Sequence, residues 1–157
     1  MAQPAPSYTL ADTWRVNNRV NLMLLGHLSD QQLALAANPR ARSIGDQFAH
    51  LHNVRIMWLE VQAPEVARTL GKIEKGAAGK DTLRQALGAS GEAMAALFDR
   101  VEAGGKLKSA KRGVNVFFGY ALAHEGHHRG QILLHLKNGG HRLDPMFGFS
   151  LWDWQKI

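Results

Sequence analysis

Cysteine is absent from the 157 residues, which excludes disulfides and thiolate ligands; any metal must be held by imidazoles and carboxylates. A reducing compartment fits that composition. The opening decapeptide "MAQPAPSYTL" has no basic segment leading into an apolar core, so it does not read as a secretory signal. No stretch approaches the ~18 apolar residues that a membrane span requires. The expectation is therefore a cytoplasmic protein without membrane attachment. Alternating apolar and polar runs are missing too, as are internal repeats and low-complexity segments, which points to an all-α class. Acidic residues are outnumbered, 13 against 19 basic, for a net charge of +6. The densest basic cluster, "GGKLKSAKRG" from Gly104 to Gly113, has no interleaved aromatics on which bases could stack. It reads as a solvated loop, and nucleic acid is not an expected partner. A basic surface would still help to draw in an anionic small substrate.

The length suits one domain spanning residues 1–157. Leu10, Trp14, Leu24, Leu25 and Leu28 recur at helical steps between Tyr8 and Leu28, giving a first amphipathic helix. Ser29 and Gln32 have capping-box spacing for a short helical turn, which "NPRAR" breaks. Ser43 and Asp46 then have N-cap spacing for a second helix running to about Gln62. Lys80–Val101 forms a third, with Ser90 filling the one gap in its apolar stripe, and Asn115–Lys137 a fourth, stopped by "NGG". The apolar tail "MFGFSLWDW" is expected to pack as a last short helix. Ala63–Gly79, 17 residues, reaches up to ~56 Å if extended, whereas the second helix is ~30 Å long. A connection of that length suits a crossover running back along a bundle, and part of it, "EVARTL", has helical character.

Eight histidines are present. His124 and His128 stand four apart on the fourth helix and project from one face toward a common point, as ligands of one ion must. His50 falls on a stripe with Val54, Met57 and Val61, read as the inward face of the second helix, and would supply a third ligand from a separate segment. Three ligands make an open site with positions left for water or substrate. His52, about 200° around from His50, is expected to face solvent. His27 suits a helix C-terminus, His135 lies roughly 11 Å along the helix from His128, and His141 follows a Gly-Gly break. His127 adds a donor beside the pair.

"HEGHHRGQI" (His124–Ile132) also contains the His-Glu-x-x-His pattern of zinc proteases. The extended protease form would need glycine and histidine where Gln131 and Leu134 stand. The other form needs a downstream carboxylate, and Asp144 and Asp153 lie in poorly placed tail segments. A protease is not the favoured reading.

"HEGHHRGQI" instead resembles the fourth-helix motif of the DinB/YfiT-like metalloproteins, His-x-x-x-His-Arg-Gly-Gln followed by an aliphatic residue. "SIGDQFAHLHNVRIMWLE" is similar to their second helix, and "TWRVNNRVNLMLLGHLSDQQL" to their first helix and connector. The resemblance covers nearly the whole chain. It implies a four-helix bundle in up-down-down-up order, a divalent metal held by His50, His124 and His128, and a homodimer. The family's name refers to damage inducibility, so a stress or detoxification role is implied rather than DNA binding. Characterised relatives include low-molecular-weight-thiol S-transferases and isomerases, and hydrolase labels occur.

Three neutral imidazoles leave an ion its full charge, which acidifies a bound thiol or water. Two mechanisms fit: a cofactor thiolate attacking an electrophilic small molecule, or hydrolysis by an activated water. A non-catalytic metal-binding bundle is the third reading. Zinc, nickel and iron all suit imidazole. Glu125, about 100° from His124, reads as a surface or supporting group and a candidate for general base. Gln131 is a candidate for orienting a ligand or the bound water, and Arg129 is expected in a structural or surface ion pair. Gly126 sits mid-helix at a cost of up to ~1 kcal/mol relative to alanine.

Overall fold

Hydroxyl side chains start the first three helices in the same way. Thr9, Ser29 and Ser43 each accept a hydrogen bond from the backbone N–H three residues on, while Asp12, Gln32 and Asp46 reach back to the cap. Such reciprocal capping satisfies two donors that a helix start otherwise leaves unpaired. The computed structural model describes residues 8–157, so the reading of the N-terminal decapeptide falls, up to Ser7, outside the described residues. Seven helices are present among the described residues and no strand: α1 (Leu10–His27), α2 (Asp30–Leu33), α3 (Ile44–Gln62), α4 (Pro64–Ala67), α5 (Lys80–Glu102), α6 (Val114–Asn138) and α7 (Pro145–Ser150). The expected positions of the four long helices agree to within a few residues. No helix is long and apolar enough to cross a membrane.

The "NGG" stop of α6 works through backbone bonds. Gly140 adopts φ 81°, a left-handed conformation that glycine enters without penalty. His141 N–H then donates to Leu136 O at 2.8 Å and Gly140 N–H to Lys137 O at 3.3 Å, the paired bonds that close a helix C-terminus. At the start of α5, Lys80 Nζ donates to Gly26 O and Leu28 O, 2.8 and 2.6 Å away. It thereby satisfies carbonyls that the end of α1 leaves orphaned. Glu102, at the far end of α5, accepts from Leu10 N–H.

Apolar burial divides into two clusters. One gathers Leu24, Leu25, Phe48, Leu83, Ile132 and Leu136 among others. The second gathers Trp14, Leu59, Met94, Phe98, Phe117 and Ala121. Each large side chain fully removed from water contributes about 1.5–3 kcal/mol relative to exposure. Between the clusters lies a polar layer of Asn17, Asn18, Asn21, Arg55, Ser90 and Glu125, all buried. Gly91 is what lets α1 and α5 meet here, because a Cβ on it would overlap the Asn18 side chain. Ser90, the gap in the α5 stripe, lies within 3.3 Å of Arg55 Nη1.

The connection between α3 and α5 does not hang free. Asn53 clasps Ile73 through both its amide atoms, at 2.8 and 2.9 Å, and Gly76 N–H donates to Asp46 Oδ1 at 2.7 Å. His52 Nε2 meets Gly71 O at 2.8 Å, and His52 is buried at 1% exposure. The expectation that His52 faces solvent is therefore wrong: the connection covers that side of α3. Met57 and Val61, assigned to the inward stripe of His50, are 44% and 40% exposed. The rotation of α3 thus differs from the apolar-stripe reading. The C-terminal tail packs only in part. Phe147 and Trp154 join the first cluster, and Phe147 stacks on His27 at 3.8 Å between centroids. Met146, Phe149 and Trp152 point outward.

Candidate metal centre

Helices α3 and α6 bring three imidazoles together. His50 on α3 and His124 and His128 on α6 place one ring nitrogen each within 4.8 Å of the others. His124 Nε2 and His128 Nε2 are 3.2 Å apart, close to the spacing of two nitrogens about 2.1 Å from a shared ion. The His50 ring lies 4.5 Å from that of His128 and 5.4 Å from that of His124, centroid to centroid. His128 is buried, while His50 and His124 are half-buried, so the cluster keeps an approach from outside.

The protonation of His128 is set by a hydrogen-bonded chain. Gln47 Oε1 faces His128 Nδ1 at 2.6 Å, and Gln47 Nε2 donates to Gln131 Oε1 at 2.8 Å. With the amide oriented this way, Nδ1–H is the donor and Nε2 carries a lone pair directed at His50 and His124. The chain ends at His127, whose Nε2 is 2.8 Å from Gln131 Nε2. Gln131 therefore acts on the site through Gln47, and exposed His127 stands outside the cluster of three.

All three imidazoles are kept neutral. Burial, with the charge of Arg42 and the neighbouring His124, pushes His50 down to about 4. Burial and the surrounding His50, His124, His127 and Arg42 do the same to His128, also to about 4. His124 is lowered as well, chiefly by burial, although Glu125 opposes the shift. Neutral rings with convergent lone pairs are what a divalent cation needs, so these three residues could hold a metal ion.

Glu125 does not have the surface position considered for it. It is 2% exposed, and its oxygens accept from Arg55 Nε at 2.6 Å, Arg55 Nη2 at 3.0 Å, Asn17 Nδ2 at 2.6 Å and Asn21 Nδ2 at 2.7 Å. Burial alone would raise its pKa. The Arg55 guanidinium and the two amides outweigh that and hold the carboxyl below the usual carboxylate range. A carboxylate committed to four donors is poorly suited to take a proton, so the His-Glu-x-x-His pattern carries no protease base here. Arg129 is in the same network, donating to Asn17 Oδ1 and Asn21 Oδ1 at 2.7 and 2.9 Å. Gly126 has no steric reason to be glycine, since a Cβ there would meet nothing nearer than Arg129 Nη2 at 3.9 Å. His135, half-buried further along α6, has a buried Nδ1 without a partner among the described residues.

Two residues at the site escaped the sequence reading. Gln47 precedes His50 by three residues and so shares its side of α3, a spacing that could have marked it as a supporting group. Arg55 could have been sought as the partner of an acid flanked by two inward histidines. Replacing Gln47 by alanine frees the His128 ring to rotate and change tautomer. Zinc affinity, measured by competition with a chromogenic chelator, is expected to fall about 10–100-fold, with the helical circular dichroism retained. An unchanged affinity would show that Gln47 plays no such part.

Comparison with known proteins bears on the same residues. A family model described as the DinB family matches residues 1–155, a span that includes every member of the cluster. No curated protein and no solved structure matches.

Proposed function

The chain belongs to the DinB family, and from that premise we propose that His50, His124 and His128 bind a divalent transition metal in an enzyme that joins low-molecular-weight thiols to electrophilic small molecules. One observation carries the reading: three imidazoles converge from two helices with no carboxylate among them. An ion held by this donor set would keep its full charge and supply the Lewis acidity that turns a thiol into a thiolate at neutral pH.

The chain's own residues supply the rest. Gln47 holds His128 in the ligating tautomer, Gln131 holds Gln47, and Glu125 is withheld from proton transfer by Arg55. Thiol transfer needs little more from the protein than positioning, whereas hydrolysis gains from a nearby general base. The one carboxylate in the motif is committed elsewhere, which favours transfer over hydrolysis.

The four long helices are read as a bundle in up-down-down-up order. Supporting this, α1 meets α5 end to opposite end through Leu10–Glu102 and Gly26–Lys80. Likewise α3 meets α6 through Gln47–Gln131 and Trp58–Phe117. A homodimer in a stress or detoxification role completes the proposal, and sedimentation of the metal-loaded protein checks the dimer.

The activity test loads the protein with zinc, nickel or iron in turn and screens several low-molecular-weight thiols against chlorodinitrobenzene-like and epoxide electrophiles. The expected result is a rate that depends on the thiol and disappears with a chelator. Ester hydrolysis with no thiol dependence would move the assignment to a hydrolase. A bound ion with neither activity would make the cluster a structural or sensing site.

A further inference from the structure

Beside the three imidazoles lies a cleft of about 540 Å³ whose walls include Arg40, Arg42, Asp46, His50, Asn53 and Lys75. His50 is the member of the cluster that also lines the cleft. The cations come from two segments of chain, and both segments are held in place. Asn38 Oδ1 accepts from the N–H groups of Arg40 and Ala41 at 2.9 and 3.0 Å, fixing the turn that carries Arg40. Across the cleft, the clasps of Asn53 on Ile73 and of Asp46 on Gly76 fix the stretch that carries Lys75.

The charges in this cleft are not balanced. Three cationic side chains face one carboxylate, and both oxygens of Asp46 already accept backbone N–H groups, from Gly76 at 2.7 Å and Ser43 at 3.4 Å. Among the described residues, no carboxylate lies within 4.0 Å of Arg40, Arg42 or Lys75. Arg42 and His50 line the same cleft, so the guanidinium stands on the side of the cluster from which His50 is reached.

Like charges repel, so a guanidinium beside a divalent-ion site weakens that site. The repulsion is relieved when an anion sits between the two positive groups, and a guanidinium fork suits carboxylate and phosphate alike. Resting on the metal-dependent reading above, we infer that the enzyme's small-molecule substrate carries a carboxylate or phosphate head that docks on Arg42 and Lys75, with Arg40 at the rim, and so brings its reactive part to the ion at His50. Metal and anion should then bind with positive coupling, each raising the affinity for the other by the same factor.

Calorimetric titration of the zinc-loaded and zinc-free protein with succinate, inorganic phosphate and neutral succinamide tests this. Succinate or phosphate is expected to bind about tenfold or more tighter than succinamide, and tighter with zinc present than without. The relative strength of the two anions tells a carboxylate head from a phosphate head. The Arg42→Gln/Lys75→Gln variant should lose most of the anion preference, while its zinc affinity measured without anion stays level or rises. A residue pair with a merely structural role would lower both. No preference for either anion in either form would overturn the inference, as would a preference that survives intact in the variant. If zinc itself fails to bind, the metal reading falls; the zinc-free titration still decides whether the cleft selects anions.

Discussion

Replacing His50 by alanine is expected to strip the protein of its metal while leaving the helices in place. Binding free energies at imidazole and thiolate zinc sites run to about 10 kcal/mol or more. Shared among three ligands, each is worth about 3 kcal/mol, a factor of roughly 100 or more in Kd. Protein purified from metal-supplemented medium should therefore carry close to one equivalent of ion in the wild type and little in the variant, by elemental analysis. His50 lies at a half-buried edge of α3, so its truncation opens no large cavity and the thermal transition of the apo-protein should move little. The matching control is His52→Ala. That ring is buried and bonded to Gly71 O, so its loss should lower Tm yet leave the metal stoichiometry alone. Stoichiometric metal retained by the His50 variant would remove His50 from the ligand set.

The other large effect concerns the polar layer. Removing Glu125 with alanine leaves the Arg55 guanidinium, 2% exposed, without its counter-charge, and strands the amides of Asn17 and Asn21. Breaking a buried pair from one side costs about 3–5 kcal/mol, a large share of the roughly 5–15 kcal/mol that holds a domain folded. Urea unfolding of the metal-free protein should show that loss as a lower midpoint. The pair, by contrast, need not be worth much in net terms, since desolvating both charges offsets their attraction. Arg55→Met/Glu125→Leu should therefore be clearly more stable than the sum of the two single changes implies. A Glu125→Ala variant within about 1 kcal/mol of wild type would mean that water or side-chain rearrangement compensates the guanidinium.

Much of the fold could be read from the letters, because capping and stop signals are local chemistry. Ser29, Ser43 and the Asn138-Gly139-Gly140 stop act through neighbours within a few residues, and the structure places them where spacing puts them. The meeting of His124 with His128 was legible for the same reason, being a property of one helix. The rotation of α3 was not. Its buried side carries Asp46, Gln47, His52, Arg55 and Gln62, while Met57 and Val61 face out, so an apolar stripe is a poor guide to which side is covered. What covers it is the irregular connection through Gly71 and Ile73, and periodicity is blind to that. His50 nevertheless meets His124 and His128, because it lies between the positions that bind the connection, His52 and Asn53, and Gln47, which reaches α6. The partner of Glu125 was hidden for a related reason: four of its donors come from α1 and α3, over separations of 70 residues or more.

The polar layer between the two apolar clusters has a consequence for how this sequence can change. Residues on one side of that layer, such as Phe98 and Phe117, pack within their own cluster, and Leu24 and Ile132 on the other side within theirs. Distant sites with no shared neighbours behave additively, so either compartment can drift in size and shape without retuning the other. The asparagines, arginines and glutamate at the waist have no such freedom, since altering one leaves several others unsatisfied at once.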